Sequence, residues 1–409
     1  MGQAGQVEES TVLEAAVPEP GDGEAFTQVP VVFVGQLPPP VHGQAVANLN
    51  LVSGRYRRLE LDVVELDFSR SVDDVGALRV GKLVHLLRSA AALRRAAKAH
   101  GRHVLYYSVG LTGLAPAVRD TVLLLLGRRG AAATILHLHT GGAGRALAAL
   151  PQPLRAAARR AYRGADAVVY LDERVAGPDD RLPEARRVYF LANAVADPLD
   201  GRRPPPRPPR AGRPGRILFL ANLHESKGAG TLVEAVGLLA ARGVEVEAVL
   251  AGGAPDANAA ATLAAQAERA GVAERVRLAG AVHGEEKRVQ FAEADVFCFP
   301  SRYEAEGMPL SVLEAMAFGL PVVACDWRAV PAVVEHGRPG LLTPPGDAAA
   351  LADALERVLG DEGLAASLGD AARRRWEERY TLEHQQAEFE RIVCEVSAVA
   401  LRPGQGAAA

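Results

Sequence analysis

The chain has 409 residues, 49% of them hydrophobic, and a formal net charge of −3, which supplies apolar content for two buried cores and argues against a disordered polypeptide. Its three cysteines, Cys298, Cys325 and Cys394, stand in apolar or helical contexts without metal-ligand spacing, so a disulfide scaffold and a zinc module are excluded and a reducing, cytoplasmic compartment is expected. No apolar stretch reaches the length of a membrane span; the nearest, Val122 to Leu126, is one or two helical turns.

Residues 1–27 contain six acids and no Lys or Arg, which is wrong for a secretory signal and predicts a disordered acidic tail. Residues 28–200 then alternate apolar runs with helical patterns: strands are predicted at VPVVFVG, ELDVVEL, HVLYYSV, TILHLHT, AVVYLD and RVYFLAN, with an Arg-rich helix from Leu78 to His100. This is the βα rhythm of a Rossmann-like domain. After the first strand comes QLPPPVHGQAVAN, where Gly43 opens a helical pattern and lets backbone approach a diphosphate or sugar closely. In HLHTGGAG, residues 137–144, strand alternation puts His137 and His139 on one face, with His139 nearer the carboxyl end. No third ligand or acidic D-x-D motif accompanies them, so no essential divalent ion is expected.

Charge is divided unevenly along the chain. Residues 28–200 carry 23 Lys and Arg against 15 Asp and Glu, whereas residues 215–409 carry 18 against 28. The basic front half fits an acidic partner or an anionic membrane surface, on whose inner face the protein would be peripheral, or else a set of solvated helices. Nucleic acid is not expected, because aromatics are few and no recognised module is present.

GRRPPPRPPRAGRP, residues 201–214, is too rich in proline for helix or central strand and predicts an extended linker. Residues 215–381 follow as a second Rossmann-like domain, with strands at RILFLAN, VEAVLAG, VRLAGAV and DVFCFP and helices near Ala229 to Ala241 and Thr262 to Ala270. Lys227 stands in NLHESKG, at a strand-to-helix corner, in a chain with only four lysines against 42 arginines. LAGAVHGEEK, residues 278–287, contains Val282 and Lys287, and AGGAP reads as a strand-to-loop bend. Residues 382–402 form a last long helical pattern. Solenoid repeats, G-x-G-x-x-G, a Walker lysine loop and a serine nucleophile elbow are all missing, which weakens dehydrogenase, ATPase and hydrolase readings.

The richest stretch runs from Ala294 to Asp326. An apolar strand leads into a loop holding Glu306, then a helix holding Glu314, with Pro309 in its first turn and Gly319 at its end. A helix start offers unpaired N–H groups and partial positive charge, so the backbone of Gly307, Met308 and Leu310 is a candidate phosphate cradle. Glu306 and Glu314 flank it and are suited to accept hydrogen bonds from sugar and ribose hydroxyls.

This E-G-M-P-L-S-V-L-E pattern resembles the E-x7-E segment of retaining glycosyltransferases of family 4, which have the two-domain GT-B fold of Rossmann-like halves facing across a cleft. The resemblance spans roughly residues 30–395 and is strongest from Asn222 to Leu342. It implies a metal-independent, retaining transfer of a sugar from a nucleotide-diphosphate donor to an acceptor hydroxyl, without a further cofactor, in polysaccharide, glycolipid or natural-product synthesis. It further implies that Glu306 faces the donor sugar, Glu314 the ribose, Lys227 the diphosphate, and His139 a donor hydroxyl or the acceptor. Val282 and Lys287 would lie near the base, Gly43 in the loop over the donor, and residues 382–402 back across the domain junction. One position departs from the pattern: an Arg expected five residues before Lys227 is Asn222 here, which removes a cation and leaves Arg302 or Arg328 as replacements. A nucleotide-sugar 2-epimerase of the same fold and a noncatalytic nucleotide-sugar-binding protein are the rival readings.

Overall fold

Continuous apolar runs give strands buried on both faces, and the central strands of the first half of the chain fold that way. The structure is a computed structural model that describes residues 28–66, 80–111, 113–177, 181–182, 186–204 and 212–400; the predicted acidic tail and most of the proline-rich stretch of the linker lie outside the described residues. Strands β1 (Val29–Gly35), β2 (Leu59–Glu65), β3 (His103–Val109), β4 (Ala131–Leu138), β5 (Ala167–Tyr170) and β6 (Val188–Phe190) make one parallel sheet in the order β2-β1-β3-β4-β5-β6. Between them run α1 (Gly43–Val52), α2 (Val80–His100), α3 (Leu114–Gly127), α4 (Ala143–Ala149) and α5 (Gln152–Tyr162). All seven residues of β3 are buried, whereas the short edge strand β6 is largely exposed.

The second half repeats the plan. Strands β7 (Gly215–Leu220), β8 (Val246–Ala251), β9 (Val276–Gly280), β10 (Val296–Phe299), β11 (Val322–Cys325) and β12 (Gly340–Thr343) form a parallel sheet ordered β12-β11-β10-β7-β8-β9. Its helices are α6 (Ala229–Ala241), α7 (Ala257–Arg269), α8 (Gly284–Glu293), α9 (Leu310–Ala317), α10 (Val330–Val333), α11 (Ala348–Gly360) and α12 (Glu362–Arg379). Helix α7 starts earlier than the predicted Thr262 because the Asp256 carboxylate caps it, accepting from the N–H groups of Asn258 and Ala259. Pro309 precedes α9 in an extended conformation instead of lying in its first turn. Strand order reverses between β7 and β10, and in such sheets ligands bind beyond the carboxyl ends of the strands at that switch point.

Helix α13 (Leu382–Ala400) follows the second sheet in sequence yet buries Phe389, Ile392, Val393 and Val396 in the apolar layer with Val31, Phe33, Tyr106, Ile135 and Val169 of the first sheet. The Phe389 ring meets the edge of Tyr106 at a centroid distance of 4.9 Å. Full burial of a side chain of that size contributes roughly 1.5–3 kcal/mol, so this helix ties the halves together. Chain crossings reinforce it: Val195 N–H donates to Tyr380 O at 3.1 Å, and buried Arg373 forks onto both oxygens of Asp197 at 2.9 and 3.0 Å while donating to Ala317 O at 2.6 Å. The two sheets are thereby held with the loops that follow β4 and β10 in contact.

Candidate functional site

At the switch point, the chain leaving β7 makes a single 3₁₀ turn over Glu225–Lys227 and enters α6 through Gly228 at φ +83°. A Cβ at Gly228 would overlap the Pro300 carbonyl oxygen, so glycine is what lets the start of α6 press against the end of β10. Arg302 N–H then donates to Ser226 O at 2.8 Å and joins the two loops. The consequence is chemical: Lys227 Nζ lies 2.8 Å from Glu306 Oε2, and Ser301 Oγ donates to the same oxygen. Glu306 is 6% exposed and Ser301 fully buried, so an ammonium and a hydroxyl together satisfy a carboxylate withdrawn from water. The ammonium also sits 4.6 Å from the Tyr303 ring centroid, over its negative face.

The first domain closes on this cluster from β4. A Cβ at Gly307 would overlap His139 O, and one at Gly141 would stand 3.7 Å from Glu306 O. Asn193 Nδ2 donates to Met308 O at 2.9 Å, adding a further contact between the halves. The His137 and His139 rings lie 3.9 Å apart between centroids and tilted by 39°, on one face as alternation along β4 predicts, with His137 Nδ1 bonded to Tyr106 OH at 2.8 Å. Burial pushes the His139 imidazole down to about 4; nearby Asn193 opposes the shift and His42 adds to it. The ring is therefore neutral at pH 7, with the Asn193 side chain as its polar neighbour. His42 caps α1 by accepting from Ala45 N–H, and next to it Gly43 faces open space.

Glu314 lies in the second turn of α9 and is bonded through Oε1 to Lys287 of α8. Burial raises the Glu314 pKa, and the ammonium opposes that shift. Lys287, considered from sequence as a neighbour of the base, thus directs its amine to this carboxylate. Val282 and Met308 are buried in the apolar core of the second domain, and Leu310 is the first residue of α9. Asn222 is exposed at the end of β7, near Gly253. The two arginines considered as replacements for a cation there are engaged elsewhere: Arg302 with Glu225 at 2.8 Å, Arg328 with Glu304.

Lys227, Glu306, Gly307 and His139 are therefore brought into one cluster, with Glu314 and Lys287 a helix turn further along. Ser301, Gly228 and Asn193 carry no individual signal in the sequence; only the Ser-x4-Glu spacing after an apolar strand points to Ser301 in retrospect. Among the described residues, no group of three or more His, Cys, Asp or Glu side chains is placed to hold a metal ion. An ammonium at a helix start, with one buried and one half-buried carboxylate nearby that each have an unused oxygen, can bind a polyanion beside a polyol.

Residues 214–361 match the family described as Glycosyl transferases group 1. The amylovoran biosynthesis glycosyltransferase AmsK of Erwinia amylovora is 37% identical over 36% of this chain and 36% of its own length. The alpha-D-kanosaminyltransferase of Streptomyces kanamyceticus is 28% identical over 77% of this chain and 82% of its own. The chain matches less than half the length of the first curated relatives. In three dimensions, HepE from Anabaena in complex with UDP and glucose superposes with a TM-score of 0.68 at 17% identity, covering 90% of this chain and 100% of that one. The fold is GT-B.

Proposed function

We propose that the protein is a retaining glycosyltransferase that moves a sugar from a nucleotide-diphosphate sugar to an acceptor hydroxyl. The observation that carries this is the 2.8 Å pairing of Lys227 with Glu306 at the switch point of the second sheet. Matches to a glycosyltransferase named for amylovoran biosynthesis and to an alpha-D-kanosaminyltransferase support the reaction class. A solved neighbour described with UDP and glucose supports the donor class.

In this reading the diphosphate takes Lys227 and the N–H groups at the starts of α6 and α9, including the turn at Gly307, Met308 and Leu310. Glu306, still anchored by Ser301, turns its lone pairs to the sugar hydroxyls, and Glu314 accepts from the ribose. As the anomeric C–O bond lengthens, its electron pair goes to the departing phosphate oxygen, where the ammonium and helix dipoles already stand. The acceptor oxygen forms the new bond on the face the phosphate leaves, and its proton passes to that phosphate. His139, a neutral imidazole beside Asn193, holds a donor or acceptor hydroxyl. Val282 borders the base, Gly43 admits the loop over the donor, and Asn222 supplies amide donors where a second cation is lacking. The leaving group's charge is met by Lys227 and backbone dipoles, so the transfer needs no divalent ion and no cofactor.

The acceptor is carbohydrate, lipid-linked or a small molecule, reached from the first domain. That domain's α2 exposes Val84 and Leu87 in a helix rich in arginine, which suits peripheral contact with an anionic bilayer. No helix among the described residues is long and apolar enough to cross a membrane.

The deciding experiment incubates the protein with UDP-, GDP- and ADP-linked sugars, with and without a panel of acceptors, in EDTA. Transfer with retained anomeric configuration is expected. Conversion of donor without acceptor supports an epimerase instead, and tight binding without turnover supports a sensor.

A further inference from the structure

The oxygen of Glu314 that Lys287 does not hold receives no hydrogen bond among the described residues. The amine reaches it from α8, a separate βα unit, across 27 positions of sequence. Side chains of 22% and 31% exposure make this a half-buried pair. Two neighbouring hydroxyls need two acceptor oxygens held in one plane, and a carboxylate offers them only when ionised and fixed in rotation. A protonated Glu314 would turn one acceptor into a donor, and a swinging one would lose the alignment of both.

We propose that Lys287 is a positioning residue for ribose recognition: by anchoring Glu314 through one oxygen, it sets the carboxylate to discriminate ribonucleotide from 2′-deoxyribonucleotide diphosphates. The inference rests on the nucleotide-sugar reading above. It assigns Lys287 to the sugar of the nucleoside and not to its base.

The test measures binding of UDP, GDP, dUDP and dGDP to the full chain by calorimetry, for the wild type, Lys287→Met and Lys287→Arg. The wild type should prefer the ribo form of the diphosphate it binds by about tenfold, the worth of a hydrogen bond to a charged acceptor. Lys287→Met should bring that ratio near unity, and Lys287→Arg should keep most of it. If Lys287→Met weakens ribo and deoxy forms equally, or leaves the ratio unchanged, the proposal is overturned. A wild type that binds neither UDP nor GDP removes the nucleotide-sugar reading itself, which is a different failure.

Discussion

Lys227 Nζ and Glu306 Oε2 lie 2.8 Å apart although 79 positions separate them in the chain. The pair is held between the ends of β7 and β10, with Lys227 18% and Glu306 7% exposed at the side chain. A charge left alone there loses its partner and is still shielded from water. In the proposed reaction an incoming diphosphate takes the same amine, so its binding exchanges one anion for another.

Removing the amine alone should therefore harm both folding and function. Lys227→Met is expected to cost about 3 kcal/mol of stability by stranding the carboxylate, and to lower kcat about 100- to 1,000-fold. Adding Glu306→Gln in the same chain should restore most of the stability and none of the activity. Thermal unfolding alongside turnover separates these effects; a double variant as unstable as the single one sinks the idea that the pair, not the lysine's packing, matters.

Competition for Lys227 predicts an opposite sign for binding. In Glu306→Gln, the amine no longer has a carboxylate to leave, so free UDP or GDP should bind tighter, by about tenfold, while sugar transfer falls. Titration calorimetry reads this directly, and weaker nucleotide binding in that variant contradicts the exchange.

Ser301 is the buried second donor to Glu306. Ser301→Ala should cost about 1–3 kcal/mol and lower kcat/KM by about tenfold, because the carboxylate then depends on Lys227 alone for its orientation. Unchanged kinetics would mean that Lys227 suffices to hold Glu306 during the reaction.

Gly307 has no room for a side chain against His139 O. Gly307→Ala should force the two loops apart, lower kcat/KM about 100-fold through misplacement of Glu306, and raise the radius of gyration seen by solution scattering. Full activity at an unchanged radius counts against a functional contact at this place.

His139 is buried and neutral, with its pKa pushed down from 6.5 to about 4. Its folded-state value lies below its unfolded one, so above pH 6.5 it has no effect on stability, and between pH 6.5 and 4 the unfolded chain binds the extra proton. Stability should fall by about 2–3 kcal/mol over that window, with His137 shifted in the same direction. Urea midpoints at pH 7.5 and 4.5 should converge for His139→Gln relative to wild type. Equal losses in the two proteins would assign the acid sensitivity to other groups.

The sequence by itself determined the elements and their chemistry. Apolar runs such as HVLYYSV and DVFCFP form buried strands, Lys227 falls at a strand-to-helix corner, and Glu306 and Glu314 straddle the start of a helix, because periodicity and turn residues are local properties. Tertiary structure alone decided which side chains meet. The order β12-β11-β10-β7-β8-β9 sets β7 beside β10 and so Lys227 against Glu306; the neighbouring α8 gives Lys287 to Glu314; α13 crosses back to the first sheet. Those partnerships span 27 to 79 positions or more, and pairing at such range depends on strand order and on close approaches at Gly228 and Gly307, which no local pattern encodes.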